Sequence, residues 1–349
     1  MKEKKWLFHT IMYVILGLLL FIVVTVVIDP YFHFHKPISG ISYRLNEERY
    51  INNGIMRHFD YDAIITGSST TENFKVSEFN QLFECNAVKV PFSGGTYREV
   101  SENLQAAFSY NTQIEKVLWA LDWTILIADP QYLNYSNFPT YLYDNNVWND
   151  VKYILNKDIF YHGTLNSITM TLKGQAPTSF DDYATFSGPT GKEAVMQSYV
   201  RRDTDAADRG LTEEERIMVE DNVKQNICTV ISENPNTTFY IFFPPYSIVR
   251  WDSWNRYGLI SAQIEAGEIA SKILLQYDNV KLFCFFENED LIFNLDNYKD
   301  DLHYSADVNS QILKWIRNDV GRITLNNYKE HAKAEKERYV SFDYDSLFE

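Results

Sequence analysis

Residues 63–73 read AIITGSSTTEN, in which a short, mainly apolar run precedes a glycine and a series of small polar residues. An apolar run bounded by turn formers is typical of a buried β-strand. Gly67 marks the end of this strand, because glycine adopts the backbone conformations that tight turns need. We therefore predict a strand, a turn that starts at Gly67, and a following helix with Ser77 as its N-terminal cap.

The same alternation of strand and helix continues along the chain. Further strands are predicted at 87–92, 117–121, 239–243 and 280–286, and further helices at 96–110, after the capping box formed by Thr212 and Glu215, at 259–277 and at 306–320. Apolar strands that alternate with amphipathic helices favour an α/β fold, with a central parallel sheet covered on both faces. Ligands of such sheets bind beyond the carboxyl ends of the strands.

The N-terminus combines a basic start with a long apolar run. Lys2, Lys4 and Lys5 precede an apolar segment at 6–28, which Asp29-Pro30 ends. At a rise of ~1.5 Å per residue, roughly 20 apolar residues cross the hydrocarbon core of a bilayer. We predict an uncleaved signal anchor, with the lysines in the cytoplasm and the main domain outside the cell membrane. A cleaved signal peptide is the alternative, but the run is long and no small-residue cleavage site follows it.

Three further segments complete the predicted organisation around an α/β domain at 61–325. Residues 30–60 are rich in aromatic residues and turn formers, and we expect an extended juxtamembrane collar. Residues 125–205 interrupt the alternation with many Tyr, Asn, Asp and Pro residues, which indicates an insertion with short helices. Residues 326–349 are charged and are expected to form a solvated C-terminal tail.

Composition limits the possible functions. The chain has 349 residues, with 32 basic and 47 acidic side chains and a net charge of −15. Nucleic-acid binding needs a basic surface, so no nucleic-acid partner is expected.

Metal and disulfide sites are not expected either. Cys85, Cys228 and Cys284 are odd in number and widely spaced, which argues against a disulfide framework or a zinc site. We expect buried, apolar thiols, although a Cys85–Cys228 or Cys228–Cys284 pair stays open. His33 and His35 could both reach a metal from one strand face, but no third ligand is near, and aromatic packing at the membrane rim is favoured. No cofactor is expected.

Residues with the chemistry of acyl transfer follow several predicted strands. Ser69 follows the first strand, Gly94 the second and Asp122 the third, while Asp300 and His303 lie beyond the fifth. Acyl transfer through serine requires a base, a carboxylate that orients the base, and donors for the oxyanion. Asp300 and His303 are three residues apart, which on a turn lets the carboxylate reach Nδ1 while Nε2 faces the serine. We predict Ser69 as nucleophile and the Asp300–His303 pair as its activating dyad.

These blocks resemble those of the SGNH (GDSL) hydrolase superfamily. Residues 67–69 resemble its Gly-Asp-Ser nucleophile block, 93–96 resemble the block whose glycine is an oxyanion donor, and 300–303 resemble its Asp-x-x-His block. The resemblance covers 60–125 and 235–320. It implies a flavodoxin-like, three-layer α/β/α domain with a central parallel sheet, and Gly94 as an oxyanion donor. With its anchor, the chain has the layout of a membrane-tethered branch that includes alginate O-acetyltransferases and a teichoic-acid D-alanylation protein.

One block departs from the superfamily pattern. The third block is Gly-x-Asn-Asp in the superfamily, whereas the third strand here ends Ala120-Leu121-Asp122-Trp123, so that Asp122 stands where the asparagine donor belongs. An ionised aspartate would repel an oxyanion. Three explanations stay open: Asp122 is protonated or turned elsewhere, another donor replaces it, or the correspondence is shifted by one residue.

Each candidate also has a purely structural interpretation. Ser69 could cap the next helix, Gly94 could belong to an ordinary turn, and His303 could be a surface histidine. Their order along the chain, each after a strand end, favours catalysis. Asp301 is the alternative to Asp300 as the orienting carboxylate.

Other residues near the strand ends have open roles. Glu72 and Asn73 either line the pocket or begin the helix, and Asn73 joins Asp122 as a candidate for substrate binding. Tyr246 and Trp251 are expected to be packing residues rather than sugar platforms.

These inferences lead to one main functional hypothesis. The chain is expected to be an SGNH-type serine esterase or O-acyltransferase that acts on a cell-envelope polymer or glycan through an acyl-Ser69 intermediate. A membrane-bound O-acyltransferase is a candidate partner. The alternatives are a simple carbohydrate esterase or deacetylase, and an inactive envelope scaffold with the same fold.

Overall fold

The structure is a computed structural model that describes residues 2–144, 146–204 and 206–348. The α-helices and β-strands, in chain order, are α1 (Lys2–Ile28), α2 (Glu48–His58), β1 (Ala63–Gly67), α3 (Val76–Phe83), β2 (Ala87–Pro91), α4 (Tyr97–Tyr110), β3 (Lys116–Ala120), α5 (Val151–Ile154), α6 (Leu165–Leu172), α7 (Lys192–Ser198), α8 (Glu213–Val223), α9 (Thr229–Glu233), β4 (Thr238–Phe243), α10 (Ile248–Arg256), α11 (Ile260–Leu274), β5 (Val280–Cys284), α12 (Glu289–Ile292), α13 (Ala306–Arg317), β6 (Arg322–Ile323) and α14 (Tyr328–Val340).

The chain divides into two compact units. One unit comprises the residues up to Phe59 together with Asn137–Ser179, and the other comprises Asp60–Ser136 with the residues from Phe180 onward. The segment at 125–205, expected to be an insertion with short helices, is therefore shared between the two units.

In the first unit, α1 is long and apolar enough to cross a membrane. The helix ends at Ile28, as the sequence predicts. Asp29 then takes a left-handed conformation with φ 43°, and its carboxylate accepts the backbone N–H groups of His33, Phe34 and His35 at 2.7–3.0 Å. One aspartate side chain thus organises the turn that leaves the helix.

The collar at 30–60 is not extended throughout, which corrects the sequence-based expectation. Its second half forms α2, in which Ile51 and Ile55 are completely buried. These two residues are four apart and lie on one helix face. Asn52, Asn53 and Gly54 separate them, and their low helix propensity hides the helix in the sequence.

His33 and His35 have separate partners in the first unit. His33 Nε2 lies 2.9 Å from the Asp150 carboxylate, and its ring lies 5.1 Å from that of Tyr153. His35 Nε2 lies 3.1 Å from the carbonyl oxygen of Val26. Within the described ranges, no group of three or more His, Cys, Asp or Glu side chains has an arrangement that could hold a metal ion.

The second unit is built on a six-stranded sheet of order β2-β1-β3-β4-β5-β6. The first five strands are parallel, and β6 pairs antiparallel with β5 at the edge. The mixed α/β fold with a mostly parallel central sheet agrees with the prediction. All five residues of β1 and of β2 are buried, as expected for strands with both faces covered. Because the strands are parallel, the carboxyl ends of β1, β2 and β3 share one edge.

Four of the five predicted helix starts agree with the structure to within one residue, and the start assigned to Ser77 is the exception. Thr96 and Thr212 form the capping boxes of α4 and α8. Ser77 does not cap α3, because Lys75 occupies the cap position. Instead, the backbone N–H and the hydroxyl of Ser77 donate to the carboxylate of Asp181 at 2.9 and 2.6 Å. Asp181, which is distant in sequence, therefore accepts a backbone N–H at the start of α3 that a local cap residue would otherwise accept.

The C-terminal segment is folded over residues 328–340, contrary to the expectation of a solvated tail. These residues form α14, where Ala332, Glu335 and Tyr339 are buried. The Tyr339 ring stacks on that of Trp251 at 3.7 Å. The three buried positions are spaced three and four apart, and the charged residues between them conceal this face in the sequence.

All three cysteines have free thiols, so the pairs left open by the sequence do not form. Cys228 and Cys284 are buried as expected, whereas Cys85 is partly exposed.

Candidate active site

The turn after β1 presents Ser69 at the carboxyl edge of the sheet. Gly67 has φ +148°, and a Cβ at this position would lie 2.9 Å from Thr71 Cγ2 and 3.0 Å from Ala120 Cβ. Glycine is therefore required both by the backbone conformation and by the close approach of neighbouring chain. Ser69 opens the short 3₁₀ turn that follows.

The second part of the site is a turn between β5 and α13. The backbone N–H of Lys299 donates to the carbonyl of His303 at 2.8 Å, which closes the loop. The Asp300 carboxylate accepts the backbone N–H groups of Leu302 and His303 at 2.9 and 2.7 Å. Asp300 and His303 are thus held by the same local hydrogen bonds, as their spacing of three residues suggests.

Ser69, His303 and Asp300 form a continuous hydrogen-bonded chain. Ser69 Oγ lies 2.7 Å from His303 Nε2. His303 Nδ1 lies 2.8 and 3.0 Å from the two carboxylate oxygens of Asp300. Asp301 faces Arg250 instead, at 3.1 Å. Of the two carboxylates that the sequence offers, Asp300 is therefore the one that contacts the imidazole.

The charges around the hydrogen-bonded residues favour a protonated imidazole at His303 beside an ionised carboxylate at Asp300. Burial lowers the pKa of His303, but the hydrogen bond and the negative charge of Asp300, together with the negative charges of Glu72 and Asp122, raise it by more, so that the pKa lies above its usual 6.5. Burial raises the pKa of Asp300, and the interactions with His303 and its backbone outweigh this effect, so that the pKa lies below 3.8. Asp300 therefore stays ionised and stabilises a proton on His303.

Asp122 is turned toward hydroxyl groups and acts as an acceptor. Its carboxylate receives hydrogen bonds from Ser68 Oγ at 3.0 Å, from Thr124 Oγ1 at 2.6 Å and from the hydroxyl of Tyr246. Its backbone carbonyl accepts the hydroxyl of Tyr97 at 2.8 Å. Asp122 lines the same cavity as Ser69, but its carboxylate oxygens are already occupied by donors. This arrangement corresponds to the alternative in which the side chain faces elsewhere.

Gly94 and Asn73, the other two candidates, differ in position. Gly94 lines the cavity with Ser69 and has φ +57°, a conformation that favours glycine. Asn73 does not line the cavity. Its side-chain oxygen accepts the backbone N–H of Phe186 at 3.1 Å, which holds a residue that does line it.

The cavity has a volume of about 460 Å³ and contains several residues that the sequence did not single out. The Phe186 ring lies 5.1 Å from that of His303, and Lys299 Nζ lies 4.7 Å from the Phe186 ring. Asn134 donates to the carbonyl of Gly94 at 3.0 Å. Asn134 and Phe186 belong to the polar region at 125–205, where no strand–helix alternation predicts their position.

Glu72, whose role the sequence left open, also lines the cavity. Its side chain is almost completely buried, and burial raises the pKa of its carboxyl group to about 7. The negative charge of Glu72 in turn contributes to the raised pKa of His303. The site therefore contains a carboxyl group that changes protonation near neutral pH, beside an imidazole whose pKa is raised above 6.5.

Tyr246 and Trp251 are completely buried. They are packing residues, as expected, and neither forms a platform for a sugar.

The sequence matches no known family model and no curated protein. Among solved structures, the chain is similar to a protein of Streptococcus pneumonia that is provisionally described as a platelet activating factor. The sequence identity is 11% and the TM-score is 0.41, over 78% of this chain and 90% of that chain.

Proposed function

We propose that this chain is a membrane-anchored, extracytoplasmic serine acyl-transfer enzyme of the SGNH type, which acts on a cell-envelope polymer or glycan. The observation that carries the proposal is the 2.7 Å approach of Ser69 Oγ to His303 Nε2, with Asp300 on the other ring nitrogen. A serine that contacts an imidazole oriented by a carboxylate is the arrangement that makes a hydroxyl nucleophilic. The cavity beside Ser69 provides room for an acyl group and part of an acceptor.

The reaction proceeds in two halves. His303 takes the proton of Ser69 as Oγ attacks the acyl carbonyl, and then gives that proton to the leaving group, which leaves an acyl-Ser69 ester. In the second half, His303 takes a proton from the acceptor hydroxyl as it attacks the ester, and returns it to Ser69 Oγ. Asp300 stays ionised throughout and stabilises the imidazolium in each half.

The oxyanion requires donors other than Asp122. Gly94 lines the cavity, and its missing side chain lets the backbone N–H approach a reacting carbonyl. Asn134 lies next to it and has two amide hydrogens, one of which goes to the Gly94 carbonyl. We assign the backbone of Gly94 and the side chain of Asn134 as the donors, so that Asn134 takes the role which an asparagine after the third strand has in the SGNH pattern.

The strand order supports the assignment to the SGNH type. The order β2-β1-β3-β4-β5 is the doubly wound order of flavodoxin-like sheets. It is compatible with a three-layer α/β/α domain, in which the ends of β1, β2 and β3 bring Ser69, Gly94 and Asp122 to one edge.

The anchor supports a location at the outer face of the cell membrane. The apolar part of α1 is preceded by Lys2, Lys4 and Lys5, which favours a cytoplasmic N-terminus and an external main domain. An enzyme held there would meet envelope polymers and acyl donors presented by a membrane-bound O-acyltransferase.

A carbohydrate esterase or deacetylase is the second candidate. The side chains of His303 and Asp300 are about a quarter exposed, so water can reach an acyl-enzyme in the free cavity. Transfer therefore requires an acceptor that displaces this water.

The primary test is covalent labelling of the full-length protein in detergent with a fluorophosphonate, together with turnover of p-nitrophenyl acetate. We expect labelling and a burst of p-nitrophenol, both abolished in Ser69→Ala. Ser93→Ala is the matched control, because Ser93 lines the same cavity outside the hydrogen-bonded chain, and its labelling should persist. No labelling of the wild-type protein would favour an inactive scaffold.

A second experiment separates transfer from hydrolysis. The acyl-enzyme is incubated with envelope glycans, and the products are analysed by mass spectrometry. Acylated glycan supports transfer, whereas release of free acid at a rate that glycans do not change supports the esterase.

A further inference from the structure

The first unit carries an unusual number of exposed apolar side chains between residues 147 and 172. Trp148, Leu172, Val147 and Tyr161 are 87%, 82%, 72% and 61% exposed. Monomeric soluble proteins rarely expose large apolar groups in such density, and where they do the surface binds something.

These side chains are not scattered, because the segment has one exposed apolar side and one buried side. Trp148, Val151 and Leu155 are exposed and are spaced three and four residues apart, as on one side of helical turns. Tyr153 points the other way, is completely buried, and donates its hydroxyl to the carboxylate of Asp29 at 2.8 Å. The segment therefore has one side bound to the unit and one side without cover in the part of the chain that the structure describes.

The same segment is attached to α1. The rings of Phe21 and Phe160 stack with their centroids 4.3 Å apart. Phe160 lies in the π-helical turn Ile159–Thr164, which continues directly into α6. Phe21 precedes Ile28, the last residue of α1, by seven positions, which at ~1.5 Å per residue places it about 10 Å before the end of the helix.

We propose that residues 147–172 lie in the membrane–water interface on the outer face of the bilayer, with their exposed apolar side chains among the lipid headgroups and upper acyl chains. The inference rests on the membrane-spanning role proposed for α1. If α1 crosses the bilayer, a segment stacked on Phe21 is brought to the depth that interfacial helices occupy, about 5–10 Å into the headgroup–acyl boundary.

The chemistry of the segment suits this location. Trp148 and Tyr161 are of the two residue types that favour the headgroup level. Lys152, Lys157 and Lys173 are exposed within or just beyond the same segment, and long basic side chains keep their charge in the polar zone while their stems contact apolar groups. A lipid surface is the occupant that would contact both the exposed side chains of α1 and those of this segment, which the Phe21–Phe160 contact holds beside the helix.

The test is spin labelling of the full-length protein in lipid nanodiscs, in a Cys85→Ala background, since Cys228 and Cys284 are buried. Nitroxides are placed at Trp148→Cys, Leu155→Cys and Leu172→Cys, and their collision rates with oxygen and with a water-soluble nickel complex are compared. Val14→Cys, in the middle of α1, gives the bilayer-centre reference, and Glu213→Cys, an exposed charged position of the second unit, gives the aqueous reference.

We expect oxygen to be favoured at the three test positions, at depths between the two references and roughly 5–10 Å below the phosphates. Nickel accessibility as high as at position 213 would overturn the proposal. Low access to both reagents, with dipolar broadening between labels, would also overturn it and show that a second copy covers the surface. A label at position 14 outside the bilayer would refute the anchor itself, independently of the serine-labelling test of the enzyme.

Discussion

Ser68, the neighbour of the proposed nucleophile, donates its hydroxyl to the carboxylate of Asp122 at 3.0 Å. This contact ties the turn after β1 to the end of β3. Asp122 also accepts from Thr124 and Tyr246, so that a carboxylate at this position holds three hydroxyl groups at the edge of the sheet. An asparagine here would have one accepting oxygen and one donating NH2 group. It could therefore not accept hydrogen bonds from all three hydroxyl groups as the two carboxylate oxygens do.

Asp122→Ala should therefore destabilise the protein. We expect the free energy of unfolding to fall by about 3 kcal/mol, because buried hydroxyl groups lose their acceptor. Asp122→Asn retains one accepting oxygen and should lose about 1 kcal/mol. Chemical denaturation of the full-length protein, followed by circular dichroism, measures both values. Equal stability of the wild type and the alanine variant would contradict the proposal that these hydrogen bonds to Asp122 stabilise the fold.

Asp300→Asn should reduce kcat by on the order of 10⁴-fold, because the imidazole loses the charge that stabilises its protonated form. Asp301→Asn is the matched control, since Asp301 contacts Arg250 and not the imidazole, and its effect should stay below about tenfold. The hydrolysis of p-nitrophenyl acetate provides the measurement. A larger loss in Asp301→Asn than in Asp300→Asn would reverse the assignment of the two carboxylates.

The pH dependence of the reaction should reflect both His303 and Glu72. His303 must be neutral to act as a base, and its pKa is raised above 6.5. The pH–activity profile should therefore have an ascending limb with its midpoint above pH 6.5. Glu72 adds negative charge that favours the protonated imidazole. Glu72→Gln should therefore shift this limb to lower pH, as measured by kcat/KM between pH 5 and 9. A shift to higher pH would mean that Glu72 acts on the reaction in another way.

The parts of the fold that could be predicted from the sequence are those where a local pattern decides the structure. The five parallel strands are short apolar runs, and Thr96 and Thr212 carry their capping partners three residues further on. The contact of Ser69 with His303 joins residues 234 positions apart. It could be anticipated because the sheet, once predicted, brings strand ends to a common edge.

The features that escaped prediction depend on tertiary contacts. The start of α3 is held by Asp181 from a distant loop, so no signal precedes Ser77 in the sequence. Asn134 and Phe186 reach the cavity from an irregular region, where position along the chain does not determine position in space. The strand β6 has only two residues, which is too short to leave a periodic pattern.

The buried carboxyl group of Glu335 provides a prediction about stability that is independent of the active site. Its side chain is 4% exposed, and burial raises its pKa from 4.5 to about 8. Between these two values the folded state keeps a proton that the unfolded state releases, so the free energy of unfolding should decrease as pH rises through this window. Glu335→Gln lacks this titration. It should exceed the wild type in stability at pH 9 by on the order of 4 kcal/mol and differ little at pH 4.

Glu215 offers a control of opposite sign. The hydrogen bond from Arg209 is the largest effect on this carboxyl group and lowers its pKa to about 2, so its stabilising contribution is present above pH 4.5 and is lost as pH falls toward 2. Glu215→Gln should therefore be less stable than the wild type at neutral pH, and the difference should vanish in acid. Chemical denaturation at pH 2, 4, 7 and 9 tests both variants in one series. If Glu335→Gln lowered stability at pH 9, the carboxylate would have a stabilising partner, and burial would not control its titration.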